Sequence, residues 1–271
     1  MKFRLRNLGL HAGRPVAFIH TDRARELNLH VGDRVEISCR KKKIIAIVDV
    51  IKSAIKSGEI SLSEEATDYR GAKQREIVDV SLALEPKSTA FILKKLIGRT
   101  LSKKEIYSII KDIVDNALTE AEVAYFVSGV YENGMSLEET IYLTEAIYKT
   151  GKIINWGSKY AVDKHSIGGI AGNRTTPIVV SICAAAGLIM PKTSSRAITS
   201  AAGTADVIET IANVNLSIPL LKKTVSKTNA CLAWGGSLGM APADDKLIRV
   251  ERLLSLDPES QLIASIMAKK L

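Results

Sequence analysis

The chain is poor in the side chains that most often carry metal, redox or base-stacking chemistry. Aromatic residues are 5% of its 271 residues, histidine occurs four times and cysteine three times. Cys39, Cys183 and Cys231 are far apart and no CxxC pair occurs, so no disulfide framework or zinc site is suggested, and a reducing, intracellular setting is the simple inference. The carboxylates are scattered without ligand spacing, so neither a metal nor any other cofactor is expected. Long hydrophobic runs are missing as well. The longest, Pro177 to Met190, is too short for a bilayer and contains Ser181 and Gly187, while the opening MKFRLRNLGLHAG lacks the apolar centre of a signal peptide. A cytoplasmic protein with no membrane partner is the expectation.

What the chain has in excess is positive charge, a formal +9 at pH 7. A basic surface attracts phosphate, so nucleic acid is the first partner to weigh. Counting argues against it. Residues 1–85 carry 16 Lys/Arg and 12 Asp/Glu, net +4, and residues 86–271 carry 22 and 17, net +5. The excess is evenly spread. Apart from Arg40-Lys41-Lys42-Lys43, which reads as a solvated hairpin turn, no basic tail and no stripe of interleaved aromatics is present. No nucleic-acid partner is expected.

Three textures follow one another. Residues 1–85 alternate short Val/Ile-rich runs of period two (PVAFIH, DRVEISC, KIIAIVDVI, EIVDVSLAL) with turn residues, the pattern of a β-rich, barrel-like module. Residues 86–157 hold three successive capping boxes, Ser102–Glu105, Thr119–Glu122 and Ser136–Glu139, and so read as a small helical domain. Ile106, Ile109, Ile110, Ile113, Val114 and Ala117 form one apolar stripe there. Residues 158–271 alternate short apolar segments with glycine-rich loops, the rhythm of an α/β domain. Its candidate strands are Leu188–Met190 and Cys231–Trp234, and its candidate helices follow Thr176, Thr204, Ser217 and Asp257. So few strands would leave apolar faces uncovered, so the α/β domain is expected to be incomplete and the sequence shortened at its C-terminus.

The chemistry concentrates in that third region. In VDKHSIGGIAGNRTT, Lys164 supplies a point charge, Ser166 a hydroxyl, and Gly168, Gly169 and Gly172 allow backbone N–H groups to approach an anion closely. Thr176 and Pro177 resemble an N-cap and first helical position, which would aim a helix dipole at the same anion. A tight turn whose glycines serve geometry alone is the competing reading. A second loop, KTSSRAITSAAGTADVIE, offers Ser194, Ser195, Arg196 and Thr199, the N–H groups of Ala197 and Ile198, and the helix start at Gly203-Thr204. A third segment contributes Asp257, Arg249, Ser265 and Lys269. The last two are at i and i+4 and would share a helix face.

Together these three segments resemble the thymidine phosphorylase family of nucleoside phosphorylases, in a phosphate loop like DKHSIGG, a signature like SSRAITSAAGTADVIE, and PADDKLIRV followed by SIMAKK. The β-rich extension and the DKHSIGGIAGNRTT form look most like the archaeal members that act on AMP. The resemblance implies phosphorolysis of AMP, with CMP and UMP as further candidates, to free base and ribose 1,5-bisphosphate, a pentosyl transfer by a homo-oligomer of two or more chains. It also implies that Lys164, Ser166, Thr176, Ser194 and Thr204 hold the attacking phosphate, and that Arg249, Ser265 and Lys269 meet the base, the arginine only after a one-residue shift.

Pyrimidine-specific members usually carry an Asp after the glycines, whereas this loop is one residue longer and reads Gly172-Asn173-Arg174. Arg174 is therefore a candidate ligand of the nucleotide's 5′-phosphate, against its reading as a surface residue. The departing base needs a proton, for which Asp257 is the candidate donor and His165 the competitor. Asp257-Pro258-Glu259 is also how a capped helix begins, and capping would favour the ionised carboxylate instead. Two other readings stay open: a non-catalytic oligomerisation fragment, and a pyrimidine nucleoside phosphorylase.

Overall fold

The computed structural model describes residues 1–39, 42–70, 75–157, 160–165, 175–197 and 201–271, excepting the side chains of 42 and 68–70. The chain forms two compact units, Met1–Lys87 with Asp115–Thr119, and Ser88–Val114 with Glu120–Leu271.

The first unit is a closed six-stranded barrel. Its elements are β1 (Lys2–Leu5), β2 (Val16–His20), α1 (Thr21–Glu26), β3 (Arg34–Cys39), β4 (Lys42–Ile51), β5 (Glu59–Leu62), α2 (Glu64–Arg70) and β6 (Ile77–Leu82), with strand order β1-β5-β2-β4-β3-β6. The period-two pattern closes it. Phe3 and Leu5, Val35 and Ile37, Ile44, Ala46 and Val48, and Val78 and Val80 all point inward and are buried. The register opposes Val35 to Ala46 and Ile37 to Ile44, so a one-residue slip would turn the whole set out to water. Residues 40–41 of the expected basic turn lie outside the described residues, between paired strands β3 and β4.

The second unit begins with α3 (Ser88–Leu96), α4 (Lys103–Val114), α5 (Glu120–Asn133) and α6 (Leu137–Thr150). Two of the expected capping boxes close at α4 and α6. Ser102 N–H donates to Glu105 at 2.7 Å and Ser136 N–H to Glu139 at 2.9 Å, and each serine hydroxyl accepts from the glutamate's N–H. Ile106, Ile109, Ile110 and Ile113 are buried along one face of α4, each contributing on the order of 2 kcal/mol. Gly129 of α5 lets the backbone of α3 approach: a Cβ there would lie 3.1 Å from Leu96 Cα.

The remainder comprises α7 (Thr175–Ala185), β7 (Met190–Ser194), α8 (Thr204–Glu209), α9 (Ile218–Thr228), β8 (Ala230–Trp234), α10 (Gly235–Leu238), α11 (Pro242–Leu254) and α12 (Glu259–Ala268). β7 and β8 form a two-stranded parallel sheet, covered by Leu221 and Val225 of α9 against Cys231 and Ala233. The first strand runs later than Leu188–Met190, because the parallel register with β8 carries it through Lys192 and Thr193 to Ser194, polar residues that read as loop. α7 leaves Ile178 and Ile182 exposed. Helices α11 and α12 are pinned to the bundle. Lys246 Nζ donates at 2.8 Å to the Ile113 and Val114 carbonyls at the end of α4, and Ser260 Oγ accepts from Met135 N–H at 3.3 Å. No helix of the described residues is long and apolar enough to cross a membrane.

Candidate functional site

In a parallel sheet, ligands gather at the carboxyl ends of the strands. Ser194 and Trp234 are register partners at that end, and they open onto a cleft of about 640 Å³. It is lined by Thr193, Ser194, Ser195 and Arg196 from the end of β7 and the segment after it, by Asp244, Asp245, Arg249 and Arg252 of α11, and by Lys269. Trp234, Met240, Ile248 and Leu253 add apolar surface. Polar and charged side chains beside apolar surface suit a ligand with a flat ring and charged substituents.

Next to it the first and third motifs meet. Asp163 accepts from Lys270 Nζ at 2.5 Å and lies 3.5 Å from Lys192 Nζ, tying the residues after α12 to β7 and to the segment that enters the glycine-rich loop. Lys164 Nζ donates to Thr176 Oγ1 at 3.0 Å. Lys192 is buried, and burial lowers its ammonium to about 8, further depressed by Lys270 and Lys269 and only partly restored by Asp163. Burial also takes His165 down to about 3, helped by Lys192 and Lys269. The imidazole is therefore neutral at pH 7 and holds no imidazolium proton to donate, which counts against it as the acid.

Helix α11, which lines the cleft, and the turn after it hold carboxyls with raised affinity for protons. Burial, reinforced by Asp244, raises Asp245 to about 6. Glu251, 4% exposed, is raised to about 8 by burial and by the nearby Asp244 and Asp257, against a hydrogen bond from Gln261. Asp257 is raised by burial. Its competing role as a helix cap is not realised: α12 is entered from Pro258 with no side-chain cap, so no capping bond offsets the upward push of burial. Lys269 donates to Ser265 Oγ at 3.1 Å and lies 2.6 Å from Asp244 Oδ2, in an ion pair without hydrogen-bond geometry.

The expected site residues are thus partly gathered. Ser194, Ser195, Arg196, Arg249 and Lys269 line one cleft, and Ser265 holds Lys269 as the i, i+4 spacing requires. Lys164, Thr176, Thr204, Ser265 and Asp257 are not among the described residues of its wall. Thr176 is not an N-cap. Helix α7 already starts at Thr175, and Thr176 is buried in its first turn, with its hydroxyl on Lys164. The Arg196 guanidinium and the Ala197 N–H, expected to face an anion, bond to carboxylates of α8 instead. Ser166, Gly168, Gly169, Gly172, Asn173, Arg174, Ile198 and Thr199 lie outside the described residues. Sequence reasoning passed over Trp234, Lys192, Asp244, Asp245 and Glu251. Only the doubled acid of PADDK offered a local sign, since the Asp244 carboxylate beside Asp245 raises the pKa of Asp245. Among the described residues no three His, Cys, Asp or Glu side chains gather into a metal-holding group.

Comparison with known proteins gives a consistent result. The helical bundle domain of a glycosyl transferase family matches residues 89–151, and the a/b domain of that family matches residues 158–252. The chain is 51% identical to the AMP phosphorylase of Pyrococcus abyssi and 44% to that of Thermococcus kodakarensis, covering 100% of this chain and 54% of each relative. It is 46% identical to the AMP phosphorylase of Methanocaldococcus jannaschii over 88% of this chain and 47% of that one. The chain spans about half the length of the curated relatives it matches. Anthranilate phosphoribosyltransferase from Thermus thermophilus superposes with a TM-score of 0.53 at 17% identity, over 66% of this chain and 55% of that one, a likeness of fold alone.

Proposed function

The chain belongs to the glycosyl transferase family whose helical bundle and a/b domains it carries, and from that premise we propose that its site performs the phosphorolysis of AMP. An oxygen of inorganic phosphate bonds to C1′ of the ribose as the C1′–N bond breaks. The bond's electron pair leaves with adenine, which takes up a proton, and ribose 1,5-bisphosphate remains. CMP and UMP are alternative nucleotides of the same reaction. The observation that carries this reading is the cleft itself, which brings Ser194 and Ser195 together with Arg249, Lys269 and the apolar surface of Trp234, Met240, Ile248 and Leu253.

In this scheme Lys164, Ser166, Thr176, Ser194 and Thr204 hold the attacking phosphate, and Gly168, Gly169, Arg174 and the donors of Ser195, Ile198 and Thr199 serve the nucleotide's own phosphate. Such groups act by orientation and by fixed positive potential, which count for more in a site shielded from water. Arg249, Ser265 and Lys269 meet the base. Asp257, whose carboxyl burial makes reluctant to ionise, supplies the proton. The protein works in the cytoplasm as a dimer or larger assembly, without a nucleic-acid partner.

Incubation with AMP and orthophosphate, followed by chromatography, tests the reading. Adenine released only when both are present supports it; uracil or thymine released from nucleosides, with AMP untouched, contradicts it. A second reading, a fragment for assembly without turnover, predicts no free adenine under any condition.

A further inference from the structure

We propose that Arg196 is a positioning residue: held by Asp206 and Glu209, it keeps the Ser194–Ala197 segment in its anion-binding shape and does not itself grip phosphate. The inference rests on the reading of the cleft as a phosphate site. Arg196 Nη1 lies 2.9 Å from Asp206 Oδ1, and its two terminal nitrogens reach Glu209 at 2.6 and 2.8 Å, a forked pair. The guanidinium also lies 4.7 Å from the centroid of the Trp234 ring. A planar cation with a carboxylate fork at its edge and an indole on its face is close to fully occupied.

Charge arithmetic points the same way. One guanidinium against two carboxylates leaves this group at −1, a poor grip for a second anion. An arginine that turned to phosphate would leave Asp206 and Glu209 facing that phosphate uncompensated. The Asp206 carboxyl is held below its ordinary range: burial opposes this, but the N–H groups of Gly203 and Ala197 and the Arg196 guanidinium outweigh it. It is a permanent anion that a bound phosphate would have to avoid.

What the assembly does instead is fix the backbone. Asp206 Oδ2 accepts from Ala197 N–H at 2.8 Å and Gly203 N–H at 2.9 Å, clamping both ends of the loop to the first turn of α8. Ser194 Oγ accepts from Ala205 N–H at 3.0 Å and donates to the Ser195 carbonyl at 2.9 Å. At Gly203 a Cβ would lie 2.7 Å from the Ser195 carbonyl oxygen and the Arg196 carbonyl carbon, so the two arms of the loop touch there. Ser194 and Ser195 are thereby presented to the cleft on a frame set before any ligand arrives, which spares the ligand the cost of ordering it.

Calorimetry with orthophosphate and, separately, with adenosine on the whole chain tests this. Asp206→Asn is expected to weaken phosphate about tenfold while adenosine affinity stays within about twofold. Arg196→Lys combined with Asp206→Asn should lose no more than Asp206→Asn alone, because both act through one frame. Glu209→Gln, at the exposed edge of the group, is the variant least able to disturb folding, and it should weaken phosphate in the same direction. Tighter phosphate binding in Asp206→Asn or Glu209→Gln would mean that a released guanidinium reaches the anion, and would overturn the proposal. Losses that multiply in the double variant, or that fall equally on adenosine, overturn it as well. A wild-type protein that takes up no phosphate counts against the phosphate reading itself.

Discussion

Glu139 and Glu251 are both helical glutamates of the same compact unit, 3% and 4% exposed, and their surroundings drive them in opposite directions. Glu139 accepts from Lys95 at 3.0 Å, from Leu101 N–H at 2.9 Å and from Ser136 N–H at 2.9 Å. Burial alone would raise its pKa, and these donors together bring it below the ordinary value. Glu251 has Gln261 as its hydrogen-bond partner among the described residues and Asp244 and Asp257 nearby, and it rises to about 8. Gln261 Oε1 and Asp244 Oδ2 beside it lack hydrogen-bond partners. Equal burial, then, does not decide charge; the supply of donors does. The helical bundle uses a buried anion to lock three segments together, whereas Glu251 on α11 is short of donors and inclined to keep its proton, the state in which a carboxyl can deliver one.

The contrast breaks most severely at its satisfied end. Glu139→Ala strands Lys95 in the bundle and should cost about 3–5 kcal/mol by urea denaturation, while Lys95→Met with Glu139→Leu should recover much of that loss. At the other end, Asp257→Asn should lower AMP turnover about 100-fold with AMP affinity nearly unchanged, measured by adenine release and calorimetry. Activity that depends on protonated Asp257 should fall as pH rises through its raised pKa.

Glu251→Gln sharpens the comparison with a smaller effect. Between the ordinary carboxyl value of 4.5 and about 8, the folded protein retains a proton that the unfolded chain releases. The stability contributed by protonated Glu251 is therefore complete below about pH 4.5, is lost as pH rises, and is gone above about 8. The glutamine variant should lack this slope in thermal unfolding and exceed wild type in stability above about pH 8. Smallest of all is Glu105→Gln, since the Lys94–Glu105 pair at 2.9 Å is partly open to water; about 0.5 kcal/mol is expected.

How much of this could be read from residues follows the range of the forces involved. The barrel, the stripe on α4 and the boxes at Ser102 and Ser136 are local patterns, and the sequence displays them directly. The hydroxyls of Ser194 and Ser195 and the pairing of Ser265 with Lys269 were legible for the same reason, being set by spacing within one segment. The pairing of Arg196 was not legible because its partners Asp206 and Glu209 lie on the next helix, and nothing in SSRA shows that a guanidinium is already engaged. Trp234 was passed over because only the parallel register of β7 and β8 brings it opposite Ser194. Lys192 and Glu251 owe their character to burial, which appears only when the elements pack.

The most direct test of the central claim uses the tryptophan that lines the cleft. With Trp156→Phe, Trp234 is the sole emitter, and AMP added to that variant should change its fluorescence saturably, with the response weakened by Lys269→Met. Emission that stays constant to millimolar AMP, in a protein whose near-UV spectrum shows it folded, would contradict a nucleotide site between Ser194 and Lys269.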